Sequence, residues 1–107
     1  LGDTSSAVAD FEKTIKIDPK FVDAYYNLGL ANYRQGNRKQ AITDLNKALK
    51  LNPNLAEAYG NRGLAEYALG NKRSAVADLQ KAASIFRQEG DNQNYQQTQA
   101  IIEQFKK

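Results

Sequence analysis

The sequence predicts an all-α chain of tandem antiparallel helix-turn-helix hairpins, an α-solenoid, with one further C-terminal helix capping the last hairpin. Three observations predict it. Residues 24–53, AYYNLGLANYRQGNRKQAITDLNKALKLNP, return without a gap as residues 58–87, AYGNRGLAEYALGNKRSAVADLQKAASIFR, at a fixed offset of 34, and a period of that length marks a stacked supersecondary unit. Within each copy, small and apolar residues recur at steps of three and four, the spacing of one helix face. A Gly-Asn pair, Gly36-Asn37 and then Gly70-Asn71, splits each copy, and a turn that short joins only antiparallel helices.

The elements follow in chain order. Residues 4–17 carry Val8, Phe11 and Ile15 on one face and read as the second helix of a hairpin whose first helix is absent. In residues 22–35 the inward set is Ala24, Tyr25, Leu28, Gly29 and Ala31, and in residues 38–51 it is Ala41, Ile42, Leu45, Ala48 and Leu49. Asn52-Pro53 ends the second helix, because the residue before proline leaves the α region and proline cannot continue the ladder. Residues 56–69 and 72–88 repeat the hairpin. Gly90-Asp91-Asn92 reads as a stop followed by a cap, after which Tyr95, Thr98, Ile102 and Phe105 form an apolar face opposite Gln96, Gln97, Gln99, Glu103 and Gln104. A helix with one polar side is what the end of a repeat stack requires. Gly29 with Ala41, and Gly63 with Ala75, fall where paired helices cross. Glycine inside a helix costs about 1 kcal/mol, so its return suggests that close packing needs it.

Composition narrows the function classes. With 107 residues, 41% hydrophobic and 25% charged, the chain is one ordinary globular domain with no apolar run long enough to span a membrane. It holds no cysteine and no histidine, which removes disulfides, thiolate or imidazole metal sites and Cys or His nucleophiles. No cofactor is expected. The acids lie scattered at helix-surface spacing, with no phosphate loop, nucleophile elbow or paired carboxylates, so the chain reads as no enzyme. A net charge of +3 is too small to argue for nucleic acid. Lys13, Lys47 and Lys81 follow Asp10, Asp44 and Asp78 by three residues, and these are expected to pair along each helix surface. The chain starts at Leu1 and contains no methionine, which reads as a piece of a longer protein that a leader could have preceded. The cytoplasm is the favoured compartment.

The unit with Tyr25, Leu28-Gly29, Ala41, Leu45, Ala48 and Pro53 resembles the tetratricopeptide repeat, as does the second copy through Tyr59, Gly63, Ala75, Leu79 and Ala82. The flavour of residues 59–90 is similar to bacterial, cyanobacterial-type repeats. Residues 1–19 match only the tail of the unit, through Gly2, Ala7, Phe11 and Pro19; residues 20–53 and 54–88 match whole units; and residues 91–106 form the capping helix of what is expected to be a single domain. Three departures stand out. Arg62 replaces the usual leucine, the expected tyrosine is shifted to Tyr33 and Tyr67, and Arg87 stands where a terminating proline belongs, which implies a longer last hairpin helix.

In that family the first helix of each hairpin lines a concave binding surface. The resemblance therefore implies a peptide-binding face of Asp23, Tyr26, Asn27, Leu30, Tyr33 and Arg34, continued by Glu57, Asn61, Leu64 and Tyr67. Asn27 and Asn61 match asparagines that hold an extended peptide's backbone, for which an amide offers donor and acceptor together; alternatively they bond neighbouring helices, with Tyr33 and Tyr67 partly core. A carboxylate clamp of the chaperone-binding kind is not expected. Tyr26 and Leu30 replace its lysine and asparagine, and Asp23 and Glu57 would repel the anion.

The function expected is a non-catalytic scaffold that binds a protein or peptide segment. The alternatives are a module that ends a longer array, or self-association. Val8, Phe11 and Ile15, read as exposed, would support a homodimer through the N-terminal helix.

Overall fold

A computed structural model describes residues 3–107, which form six helices: α1 (Asp3–Ile17), α2 (Val22–Arg34), α3 (Arg38–Leu51), α4 (Ala56–Ala68), α5 (Lys72–Gln88) and α6 (Asn92–Lys106). Gly2, one of the matched positions, lies outside the described residues. The all-α class of tandem hairpins is the one observed. The chain divides into two compact units, the first ending at Pro53 and the second beginning at Asn54. In the first, α2 packs against both α1 and α3; in the second, α5 packs against both α4 and α6.

The turns follow from their residues. Gly36 and Gly70 take φ of +84° and +89°, a region that costs any side chain strain but glycine none. That conformation lets the Asn37 and Asn71 amides donate to the carbonyls of Asn32 and Glu66, five residues back, at 2.8 and 2.9 Å, satisfying otherwise orphaned helix ends. Asn52, before Pro53, is extended and stops α3. With Arg87 in place of proline, α5 runs 17 residues against 14 for α3. Asp91 caps α6, its carboxylate accepting from the Asn94 amide at 3.2 Å.

The crossings are as close as the glycines imply. A Cβ on Gly29 would stand 2.8 Å from Leu45 Cγ and 3.3 Å from the Ala41 carbonyl oxygen. In the second unit Ala56, Ala82, Ile85 and Phe86 form one buried cluster, and Leu79, Ala83 and Ile102 another. Thr98 and Ile102 of α6 are buried while its glutamines face water.

At the other end α1 corrects the reading of its apolar face. Val8, Phe11 and Ile15 are half-buried rather than open, because α1 has α2 to pack on. The apolar side chain left in water there is Ile17, 86% exposed.

Candidate functional site

The inward face of α2 is set by Ala24, Leu28, Gly29 and Ala31, all buried. Helical geometry then turns the stripe 23, 26, 27, 30, 33 and 34 away from α3. Asp23 and Arg34 are exposed; Tyr26, Asn27, Leu30 and Tyr33 are half-buried. Three of them meet α1 in a groove of about 330 Å³, lined by Thr4, Ala7 and Phe11 from α1 and by Asn27, Leu30, Arg34 and the inner Ala31 from α2. Gln35 Nε2 donates to Ser5 Oγ at 2.9 Å and ties the two helices together beyond Arg34.

This groove joins residues that the sequence assigned to separate roles. Asn27, Leu30 and Arg34 belong to the expected peptide face, and Phe11 to the expected self-association face. Asp23, Tyr26 and Tyr33 do not line it. Thr4 and Ala7 do, and were not singled out for binding; the signal for Ala7 is the 34-residue register, which places it with Ala41 and Ala75. The groove's chemistry is mixed: Phe11 and Leu30 are apolar, Arg34 is cationic, and the Asn27 amide makes no hydrogen bond among the described residues.

In the second unit the corresponding residues are used differently. Glu57 is exposed, and Asn61 and Leu64 are half-buried. Asn61 Nδ2 donates to the Glu57 carbonyl, 2.8 Å away in its own helix. Tyr67, 41% exposed, stacks on Phe105 of α6 with ring centroids 3.7 Å apart and planes within 7°. One face of that tyrosine is therefore taken by the closing helix.

The aspartates overturn a local expectation. Asp44 and Asp78 do not pair with Lys47 and Lys81 along the helix surface; both turn into their hairpins. Asp44 is buried and accepts from Asn32 Nδ2 at 2.8 Å and Gln40 Nε2 at 3.1 Å. Asp78 receives Arg62 in a two-pronged pair, Nε to Oδ2 and Nη2 to Oδ1, each 2.8 Å. That bond holds the guanidinium pKa above its ordinary value, against the opposing effect of burial. The equivalent aspartates thus draw donors from different positions on the facing helix, Asn32 in one hairpin and Arg62 in the other. Lys47, released from Asp44, lies over the Tyr25 ring at 5.9 Å.

Burial pushes the Asp44 carboxyl above its ordinary value, with nearby Glu12 adding to the effect and the Asn32 and Gln40 bonds opposing it. The folded chain then holds this proton more tightly than the unfolded chain, so Asp44's contribution to stability falls as pH rises from about 4 and is level once the carboxyl is ionised. Asp44→Asn lacks that fall, and the two amides facing it can flip to satisfy it. Its stability relative to the parent is expected to improve in thermal melts as pH rises above about 4, and to level off once the Asp44 carboxyl of the parent is ionised. A difference that stays flat or moves the other way would contradict the burial account.

Among the described residues, no three acidic side chains gather as a metal site, and no helix is long and apolar enough to cross a membrane.

Models of the tetratricopeptide repeat match residues 22–55 and 56–89, and a TPR repeat model matches residues 1–36. No curated protein matches the chain in sequence. Among solved structures, the Yersinia enterocolitica type III secretion translocator chaperone SycD is similar over 98% of this chain and 73% of its own, at 14% identity and a TM-score of 0.93. The first TPR of Spaghetti (RPAP3), bound to the HSP90 peptide SRMEEVD, is 26% identical over 96% of this chain and 79% of its own, with a TM-score of 0.83. The TPR2B domain of yeast Sti1, in complex with pHsp70, is 25% identical over 92% of this chain and 85% of its own, with a TM-score of 0.79.

Proposed function

This chain belongs to the tetratricopeptide repeat family, and from that premise we propose that it is a non-catalytic interaction module that holds a segment of another protein against α2, anchored in the groove between α1 and α2. The observation that carries the reading is Asn27. Asn27 is half-buried, lines the groove with Phe11 and Leu30, and its amide makes no hydrogen bond among the described residues. A polar group at such a place gains most when a ligand supplies its partner. A polar side chain or a free peptide unit of the bound segment matches it with a donor or an acceptor. Arg34 at the rim adds a preference for an acidic side chain or a carbonyl. Two similar structures at 25% identity or more hold an HSP90 peptide and pHsp70, which supports the class of ligand and leaves its sequence open.

An array of peptides probed with the 107-residue chain tests the reading. Asn27→Ala is expected to weaken each specific hit by about 1–3 kcal/mol, without change in helical circular dichroism. Asn61→Ala, whose amide already serves its own helix, is expected to do less. Equal affinities for Asn27→Ala and the parent would remove Asn27 from the site.

A further inference from the structure

The groove's register says what shape of ligand fits it, an inference that rests on the reading of the groove as a binding site. Ala7, Asp10 and Phe11 of α1 stand one period before Ala41, Asp44 and Leu45 of α3, and two periods before Ala75, Asp78 and Leu79 of α5. On α3 and α5 that set is a seat for a helix. Gly29 of α2 crosses over Ala41 and Leu45, and Gly63 of α4 over Ala75 and Leu79, each so closely that a Cβ would come within 3.3 Å of the alanine's carbonyl oxygen. The aspartate of each seat receives a donor from the seated helix: Asn32, three residues after its glycine, or Arg62, one residue before. In the second unit the seated helix also touches the helix beyond, through Tyr67 on Phe105.

On α1 the same three residues recur at that register, with no donor on the aspartate among the described residues. Ala7 and Phe11 line the groove, and the exposed Asp10 carboxylate makes no bond among the described residues. We infer that the groove between α1 and α2 is a seat for an amphipathic helix of a partner protein that carries glycine at the crossing and an arginine or asparagine placed to reach Asp10. Phe11 is bulkier than the leucines of the other seats, which tightens the demand for glycine. A donor on either side of the glycine reaches the carboxylate, as Asn32 and Arg62 do, so the charge complementarity adds to binding without fixing where on the helix the donor stands. An aromatic residue one turn beyond the glycine, where α4 has Tyr67, meets Leu30 and Arg34 at the groove's far end and gains from the cation.

The test uses a helix this protein already seats. A hydrocarbon-stapled peptide copying residues 54–69, stapled on its solvent side because a lone helix of that length is marginal in water, is titrated against the 107-residue chain by fluorescence anisotropy. Saturable binding is expected, weakened at least tenfold by Gly63→Leu in the peptide. Arg62→Glu in the peptide is expected to weaken it by a similar factor, and Asp10→Lys in the protein to restore that variant while weakening the parent peptide. Asp10 is exposed, so its reversal leaves the fold intact, as circular dichroism would verify. No binding by the stapled peptide, or binding indifferent to both the glycine and the charge pair, overturns the inference. If array peptides still bind and still depend on Asn27, the helical seat alone has failed; if they do not, the broader reading falls with it. A dimer in light scattering that Phe11→Asp dissolves and the stapled peptide cannot displace would assign the groove to a second copy of the chain and overturn the choice of partner.

Discussion

Gly63→Leu is expected to lower stability by about 1–3 kcal/mol, the usual cost of forcing methylene groups into a filled crossing. A Cβ built on Gly63 lies 3.0 Å from the Ala75 carbonyl oxygen, 3.1 Å from Leu79 Cγ and 3.3 Å from Asp78 Cβ. None of the three can retreat easily. The carbonyl belongs to the interior of α5, Leu79 is 2% exposed, and Asp78 is held by Arg62. Replacing a helical glycine returns up to about 1 kcal/mol of backbone entropy, so the observed loss is the clash less that gain. Gly60 separates the two terms. A Cβ there meets only Ala82 Cβ at 4.0 Å, so Gly60→Ala is expected to stabilise by about 0.5–1 kcal/mol from the entropy term alone. Urea denaturation of the three proteins measures both effects. A Gly63→Leu midpoint equal to the parent's would mean that α4 and α5 do not close at this crossing.

The helices were legible because each depends on short-range signals that a sequence displays directly. Periodicity located them, Gly36 and Gly70 separated them, Asn52-Pro53 stopped α3, and the substitution of Arg87 for proline announced the length of α5. The crossing glycines were legible for a related reason: a costly residue that returns at one offset must be meeting a packing demand. Side-chain partners were not legible, because linear spacing suggests only neighbours on the same helix. Lys47 lies three residues from Asp44 and suggests a surface pair, whereas Asn32 lies twelve residues away and becomes its partner only once the hairpin closes. The groove shows the same limit. Asn27, Leu30 and Arg34 share a helix face that the sequence could trace, while Phe11 and Ala7 join them from α1, and nothing in the linear spacing says that the two helices leave a gap.

Arg62 was visible as a departure from the repeat's usual leucine, and that usage suggests that Arg62→Leu should be harmless or stabilising. The structure leads to the opposite expectation. Leucine would add apolar area at a half-buried place, but it would leave Asp78, whose side chain is only 13% exposed, without the two bonds it now receives. Breaking a fully buried pair by removing one member costs about 3–5 kcal/mol, and because Arg62 keeps 24% of its side-chain surface in water, a loss of about 1–3 kcal/mol is expected here. The pair's two parallel bonds make the effect specific to guanidinium, so Arg62→Lys should recover only part of it. Asp78→Asn alone should cost less than Arg62→Leu, since an arginine this exposed can turn to water. A double-mutant cycle on Arg62→Leu and Asp78→Asn, read by urea denaturation, isolates the pair, and a coupling of about 1 kcal/mol or more is expected. Additive effects, or an Arg62→Leu protein as stable as its parent, would mean that the pair contributes nothing and that leucine serves the second hairpin as well as Leu28 serves the first.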